Sequence, residues 1–233
     1  MQDMSPQLAL ALNLKDEATF DNFYPANNAE IMLELKKAAS GLGEHIIYLC
    51  GSRGEGCSHL LQAVCHEAHL NGRTSVYLPL NNLITLSPEV FNGLEALDIV
   101  CVDDLHVIAG KPEWEEAIFH LFNRVHDAGG HIILTAHDLP KAIQINLPDL
   151  VSRLSWGMVY QLLSLSDEEK LAALTMRAKC RGISLSDEVG KYLLTHCPRH
   201  MGTLLAALDA LDRASLAAQR RLTIPFVKEV LQI

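Results

Sequence analysis

The sequence predicts a three-layer α/β fold, in which helices sandwich a five-stranded parallel sheet, followed by a small domain made only of helices. Five short runs have nearly continuous hydrophobicity, which is typical of parallel strands covered on both faces. Helical patterns lie between most of these runs, and alternating strands and helices imply right-handed crossovers within one sheet. The predicted strands are residues 46–50, 75–78, 99–102, 132–135 and 159–162.

Amphipathic periodicity supports the helices of this first domain. Apolar residues that share one helical face follow the first predicted strand and precede the fourth, and such a face needs a partner that buries it. These residues are Leu60, Leu61, Val64 and Ala68 after the first strand, and Ile118, Leu121, Phe122 and Val125 before the fourth.

Only helices are predicted after about residue 165. Ser166 and Glu169 have capping-box spacing, and Pro225 suits a first helical turn, where its missing N–H costs nothing. The chain therefore divides into a flexible tail (1–19), an α/β domain (20–165) and a helical domain (166–233). The predicted helices of the last domain run from 167 to about 179, from 186 to about 196, from 203 to about 219, and onward from Pro225.

The acidic composition excludes some function classes. The 233 residues include 28 acidic and 19 basic side chains, a net charge of −9, whereas tight binding to duplex DNA needs many Lys and Arg contacts. No run approaches the about 20 apolar residues of a membrane span. Asp3 stands where a signal peptide would be basic, so we expect a cytoplasmic protein.

Cysteine and histidine spacing does not predict a zinc site. The 6 cysteines contain no C-x-x-C pair and the 11 histidines no H-E-x-x-H motif, and zinc sites usually show such spacing. We expect the cysteines to be reduced thiols of a cytosolic protein.

A glycine-rich segment between the first strand and the next helix is the strongest chemical signal. Residues 51–58 read G-S-R-G-E-G-C-S and fit the phosphate-binding pattern G-x-x-x-x-G-K-[S/T], except that Cys57 occupies the lysine position. Backbone N–H groups and the helix N-terminus can still hold a diphosphate there. The alternative is a strand-to-helix turn without a ligand. The candidate phosphate-binding residues are Gly51, Ser52, Arg53, Gly54, Glu55, Gly56, Cys57, Ser58 and His59.

The missing lysine weakens contact with a γ-phosphate most. A charge-assisted hydrogen bond contributes about 1.5–3 kcal/mol, and this lysine also offsets charge that develops during phosphoryl transfer. Arg53 and His59 are basic, but neither lies at the helical position of the lysine. The sequence thus favours nucleotide binding without hydrolysis.

Two acids end the third predicted strand. The run I-V-C-V-D-D has the form of a Walker B strand, whose carboxyl end would lie beside the phosphate loop. We expect Asp103 to face Mg²⁺ or its water, with Ser58 as a second metal ligand. Asp104 takes the place of the acid that polarises water. Such strand ends are also common by chance, so the prediction depends on the loop upstream.

Two later segments place polar residues where they could meet a γ-phosphate. His137 and Asp138 follow the fourth strand, at the position called sensor 1, and either could serve there. Residues 147–157 read L-P-D-L-V-S-R-L-S-W-G and would present Arg153 to a nucleotide held by a neighbouring subunit. The alternative for Arg153 is a solvated side chain at a helix end.

The order of these motifs resembles a known family. The phosphate loop, V-D-D, L-T-A-H-D-L-P and L-V-S-R-L-S-W-G together resemble bacterial replication initiators of the DnaA type, which are AAA+ P-loop NTPases. Within that group they are most similar to Hda-type regulators, which inactivate the initiator. The resemblance extends from about Phe20 to the C-terminus, and S-R-L-S-W-G is its most specific part.

The resemblance implies roles for several residues. Arg153 would be an arginine finger that acts in trans, and such fingers raise phosphoryl-transfer rates by about 10³–10⁵-fold. The helical domain would be the AAA+ lid, with Arg199 and Gly202 in its sensor 2 block, and Tyr24 and Pro25 would line the base pocket. Self-association, as a dimer, would also follow.

Departures from the family pattern suggest a site that does not turn over. Cys57 replaces the lysine, His137 stands where Asp or Asn is usual, and Gly202 replaces the sensor 2 arginine, with Arg199 one helical turn away. Three contacts to a γ-phosphate are therefore weakened together. We expect ADP or another nucleoside diphosphate as a structural cofactor, with Mg²⁺ compatible. No basic helix-turn-helix module follows residue 233, so we expect no sequence-specific DNA binding.

The N-terminal tail resembles a short clamp-binding peptide. Gln7 is followed by leucines at alternating positions, so its amide could enter a polar site and the leucines an apolar pocket. This resembles the hexapeptide by which bacterial replication proteins bind the sliding clamp; a frayed amphipathic tail is the alternative. The predicted clamp-binding residues are Gln7, Leu8, Leu10 and Leu12.

The sequence therefore favours a negative regulator of replication initiation. In this hypothesis an ADP-bound adaptor binds the sliding clamp and stimulates ATP hydrolysis by DnaA through Arg153. An active ATPase or a helicase loader is the alternative. A small phosphotransferase is disfavoured, because it needs a clamping lysine and an arginine-rich lid, whereas residues 166–233 predict an apolar helical bundle.

Overall fold

A computed structural model describes residues 14–233, in which five parallel strands form one sheet. The strand order is β2-β3-β4-β1-β5, so β2 and β5 lie at the edges and β1 lies between β4 and β5. The predicted five-stranded parallel sheet is confirmed. The strands are β1 (Ile46–Cys50), β2 (Ser75–Pro79), β3 (Ile99–Asp103), β4 (His131–Ala136) and β5 (Met158–Gln161).

Helices cover both faces of the sheet and make up the whole C-terminal part of the described chain. Short 3₁₀ turns at Phe20–Asn22, Ala26–Asn28, Pro88–Phe91, Leu94–Ala96 and Leu105–Ile108 connect some of the elements. The helices are α1 (Ala29–Ala39), α2 (Cys57–Leu70), α3 (Leu80–Leu83), α4 (Pro112–Asp127), α5 (Pro148–Leu154), α6 (Asp167–Cys180), α7 (Asp187–His196), α8 (Met201–Ala218) and α9 (Ile224–Leu231).

The central strand β1 contributes to two separate cores. Its alternate residues point to opposite faces, as the period of a strand requires. Ile47 and Leu49 are buried with apolar residues of α1 and α2. Tyr48 and Cys50 are buried on the other face with residues of α4 and α5. Continuous burial of β1 thus explains its unbroken apolar sequence.

The edge strand β5 differs from the expectation that every strand is covered on both faces. Met158, Val159 and Gln161 are exposed, and β5 pairs only with β1. The strand also begins and ends one residue earlier than predicted. The position of a strand in the sheet depends on pairing between segments that are distant in sequence. An apolar run therefore does not reveal whether its strand lies at the edge or in the centre of the sheet.

Residues 167–231 fold as helices around their own core. Ser166 caps α6 as predicted: its hydroxyl accepts from the Glu169 N–H at 3.3 Å, and its own N–H donates to the Glu169 carboxylate at 2.7 Å. Pro225 lies in the first turn of α9, also as predicted. The third of these helices, α8, starts at Met201, two residues before the predicted start, because Gly202 continues the helix.

Residues 15–19 form an N-terminal strap that contacts both α2 and the C-terminal helix α6 near the cavity. These residues belong to the predicted flexible tail (1–19), but hydrogen bonds and ion pairs join them to the fold. The Lys15 N–H donates to the Gln62 side chain at 2.9 Å, and Ala18 is buried. Glu17 forms ion pairs with Arg177 of α6 and with Arg181, the residue that follows α6. The strap therefore belongs to the folded part of the chain.

Strand order brings the predicted motifs together. Because β1, β4 and β3 are neighbours and parallel, their carboxyl ends meet at one edge of the sheet. Residues 51–58, 137–138 and 103–104 follow these ends. The edge is therefore the natural place for a ligand site.

Candidate nucleotide-binding site

The phosphate loop, residues 51–58, has the backbone geometry of an anion cradle. Gly54 and Gly56 have φ values of 88° and 110°, which residues with a Cβ rarely adopt. A Cβ at Gly56 would also lie 2.7 Å from the Phe23 ring. The loop leads directly into α2, whose first N–H groups carry partial positive charge. The loop is thus shaped to accept an anion.

A cavity of about 1360 Å³ opens between this loop and the C-terminal helices. Its volume is enough for a nucleotide, since ligand pockets usually measure about 300–1,000 Å³. The predicted site residues that line it are Tyr24, Gly51, Ser52, Arg53, Gly54, Glu55, Gly56, Cys57, Ser58, His59, Asp104, His137, Asp138, Arg199 and Gly202. Among the described residues, Pro25, Asp103 and Arg153 are predicted site residues that do not line it.

Cys57 offers no charge to a ligand. Burial, reinforced by the negative charges of Asp103 and Glu55, raises the pKa of its thiol to about 12. The thiol is therefore neutral at physiological pH, where a lysine would be cationic. The side chain cannot replace the ammonium group electrostatically.

Neither neighbouring basic residue occupies the missing lysine's place. The His59 Nε2 atom donates to the Thr19 carbonyl at 2.8 Å, and burial lowers the pKa of the ring. His59 is therefore a neutral anchor of the strap. Arg53 is exposed on the loop, and its charge partly offsets the burial and the Asp103 charge that raise the pKa of Asp104. Arg53 is thus a cationic side chain at the exposed rim of the loop.

Asp103, which is predicted to face a metal or its water, is enclosed by its neighbours. One carboxylate oxygen accepts from the Thr135 hydroxyl and the Asp104 N–H, and the other accepts from the Tyr77 hydroxyl at 2.6 Å. The residue is 1% exposed. The two side-chain partners, Tyr77 and Thr135, come from β2 and β4, which flank β3.

Mg²⁺ at Asp103 and Ser58 stays a prediction. Ser58 lines the cavity, whereas Asp103 does not line it and both of its carboxylate oxygens accept hydrogen bonds. Residues 14–233 contain no group of three or more His, Cys, Asp or Glu side chains placed to hold a metal ion.

Of the two acids that end β3, Asp104 is the one that lines the cavity. Its backbone adopts φ 60°, uncommon for a residue with a side chain, and the Asn81 amide donates to its carboxylate. His137 and Asp138 lie nearby, and their side chains are 3.6 Å apart. The His106 ring contacts His137 edge-on, with centroids 4.1 Å apart. Both sensor 1 candidates are therefore at the site.

Comparisons with known proteins agree with this architecture. The family model for the bacterial DnaA ATPase domain matches residues 14–161, more than half of the chain. The model for the lid domain of Hda matches residues 167–231. This chain belongs to the DnaA-related AAA+ family.

Individual relatives extend the match over the whole length. An uncharacterized protein of Haemophilus influenzae is 46% identical over 231 residues, which cover 99% of this chain and 100% of that protein. Domain III of the Thermotoga maritima initiator DnaA superposes with a TM-score of 0.80 at 22% identity, covering 94% of this chain and 98% of that one. AMPPCP-bound DnaA from Aquifex aeolicus gives a TM-score of 0.70 at 23% identity, covering 84% and 65%.

The lid of this AAA+ chain lies directly over the phosphate loop. A Cβ at Gly54 would be 3.9 Å from the Gly202 nitrogen, at the start of α8. Arg199, predicted near the sensor 2 position, precedes α8 and forms a 3.0 Å ion pair with Asp167 of the lid itself. The sensor 2 segment is thus at the site, with its arginine engaged within the lid.

Arg153 lies outside the cavity, in the last turn of α5. Its guanidinium stacks on the Trp156 ring, 3.6 Å from the ring centroid. Leu150 and Leu154 are fully buried and fix the helix against the body of the protein. Trp156 is 56% exposed. The pair therefore forms a surface feature apart from the chain's own nucleotide cavity.

Sequence reasoning missed four residues that organise the site. Tyr77 and Thr135 bind Asp103, Asn81 binds Asp104, and Asn28 anchors the connection between β5 and the lid. Asn28 is 2% exposed and exchanges hydrogen bonds with the Leu163 backbone. Tyr77, Thr135 and Asn81 are polar residues within or just after apolar strands, and that position could have marked them as site residues. Their hydrogen-bond partners are distant in sequence.

A neutral Cys57 thiol should resist alkylation. With a pKa of about 12, about one thiol in ten thousand is ionised at pH 8, and only the thiolate reacts. Timed iodoacetamide labelling with peptide mass spectrometry should modify exposed Cys180 at least about 100-fold faster than Cys57. Comparable labelling rates would show that position 57 is ionised or open, contrary to this description.

Proposed function

We propose that this chain is a negative regulator of replication initiation that acts on DnaA. It holds a nucleotide without hydrolysing it and completes the active site of ATP-bound DnaA with Arg153. Two features that lie apart in the structure carry this proposal. A neutral thiol, Cys57, occupies the lysine position of the chain's own loop. Arg153 lies on the surface and does not line the chain's own cavity.

A nucleoside diphosphate such as ADP is the proposed ligand. The loop amides and the α2 N-terminus suit the two phosphates, and the AMPPCP-bound DnaA structures are relatives of the same fold. A third phosphate would meet Cys57 and Gly202, neither of which offers a cation. The nucleotide would hold the ATPase domain and lid in their docking arrangement.

Intrinsic hydrolysis is proposed to be absent or very slow. Asp104, the acid that would activate water, is bonded to the Asn81 amide, and Asp103 is enclosed by Tyr77 and Thr135. Cys57 leaves the loop without its lysine. The catalytic step would therefore occur on DnaA's nucleotide.

Arg153 is proposed to act as an arginine finger in trans. Stacking on Trp156 keeps the guanidinium oriented, and no acid within residues 14–233 forms an ion pair with it. An arginine finger contributes about 10³–10⁵-fold to phosphoryl-transfer rates. The same surface would support self-association, in which one copy's Arg153 approaches the nucleotide of another.

The N-terminal peptide is proposed to tether the chain to the sliding clamp. Gln7, Leu8, Leu10 and Leu12 lie outside the described residues, so the support is their sequence pattern and their position just before the strap. Tethering raises the local concentration of the adaptor. Weak contact with DnaA would then suffice near DNA that carries a clamp.

The Arg153→Ala variant should lose stimulation of DnaA. Mixed with ATP-bound DnaA and DNA-loaded clamp, it should lower stimulated phosphate release by about 10³-fold, down to the rate of DnaA alone. Clamp binding and thermal stability should be unchanged, because Arg153 is a surface residue. Arg213→Ala, which removes an exposed arginine of α8, is the matched control and should stimulate normally. Normal stimulation by Arg153→Ala would refute the finger role.

Replacement of Gln7, Leu10 and Leu12 by Ala should abolish clamp binding. The triple variant removes the amide and two leucines that the peptide mode uses. Surface plasmon resonance on immobilised clamp should show at least about a hundredfold weaker affinity, while nucleotide affinity stays the same. Retained clamp binding would reject the tail as the clamp ligand.

A further inference from the structure

Glu55 places a carboxylate inside the phosphate loop. One of its oxygens accepts from the Ser52 N–H at 2.7 Å, and the other accepts from the Ser164 hydroxyl. In both contacts the carboxylate is the acceptor. One amide of the loop is thus occupied by an acid that belongs to the chain itself.

The carboxylate also lies beside the position that a lysine would occupy. A Cβ built on Gly51 would be 3.1 Å from the Glu55 carboxylate oxygen and 3.1 Å from the Cys57 sulfur, so the two side chains flank the same point. The negative charge of Glu55 contributes to the raised pKa of the Cys57 thiol, after burial and Asp103. With a neutral thiol there, no cation at position 57 balances the carboxylate.

A phosphate group would compete with this carboxylate. Loop amides such as the Ser52 N–H are the donors that a phosphate loop offers to its ligand. The Ser52 amide is already used, and two anions a few ångströms apart repel each other strongly when partly shielded from water. A nucleotide must therefore move Glu55 before its phosphates can occupy the loop.

The competition extends to the connection between the ATPase domain and the lid. Ser164 lies between β5 and α6, one residue after Leu163, whose backbone is held by Asn28. Displacement of Glu55 would release Ser164 from the loop, while Asn28 keeps Leu163 in place. The Glu55 side chain therefore affects both the entry of a ligand and the contact between the loop and the connection to the lid.

We propose that Glu55 is an internal occupant of the phosphate loop that sets the affinity of this site for phosphate-bearing nucleotides. The inference rests on the proposed nucleotide site and specifies what opposes binding there. It does not involve Arg153 or DnaA. Removal of the carboxylate should strengthen binding, the reverse of the usual effect of altering a ligand-site residue.

Titration calorimetry of ADP into the full-length chain tests the inference. Glu55→Gln removes the charge at similar size, and Glu55→Ala removes the side chain. Both should bind ADP at least about tenfold more tightly than the unaltered chain, on the scale of one charge-assisted hydrogen bond. Glu67→Gln makes the same charge change at the far end of α2 and is the matched control, with less than twofold change expected.

Ser164→Ala provides an independent variant at an exposed position, where loss of the hydroxyl should not impair folding. It removes one of the two hydrogen bonds that hold the carboxylate, so ADP should bind more tightly, by about two- to fivefold. Melting temperatures confirm that each variant is folded.

Unchanged or weaker ADP binding by both Glu55 variants would overturn the inference, and so would absence of ADP binding by every variant. Equal tightening by Glu67→Gln would attribute the effect to net charge and overturn it as well. Stimulation of DnaA by the Arg153 variants is measured separately, so failure of one proposal is distinguishable from failure of the other.

Discussion

The position of β1 in the middle of the sheet is the constraint on which the site depends. Its pairing with β4 on one side and β5 on the other places the phosphate loop between the sensor 1 segment and the connection to the lid. The two cores that bury opposite faces of β1 hold this strand rigidly. This packing fixes where the loop begins, and Gly54 and Gly56 supply its left-handed backbone without steric strain.

Within that frame, the electrostatics of the loop are unusual for a phosphate site. The neutral Cys57 thiol replaces a cation, and the Glu55 carboxylate adds an anion that uses a loop amide. Asp103 and Asp104 add further negative charge below the loop. The loop amides and the N-terminus of α2 therefore supply much of the local attraction for phosphate.

The sequence predicted the scaffold well, because its signals are local. Apolar runs, the capping box at Ser166 and the glycine loop each depend on neighbouring residues, and every strand was located to within one residue at each end. The hydrogen-bond and ion-pair partners of individual side chains were harder to predict. The sequence did not predict that Tyr77 and Thr135 from adjacent strands enclose Asp103. Likewise, no local sequence pattern around Glu17 predicts its ion pairs with Arg177 and Arg181.

The central claim is that this chain binds nucleotide without turning it over, and steady-state phosphate release from the purified chain alone tests it most directly. We expect a rate no greater than about 10⁻³ s⁻¹, the scale of a P-loop GTPase that lacks its arginine finger. A rate of about 1 s⁻¹ or more, with no DnaA present, would contradict the account and identify the chain as an ATPase in its own right.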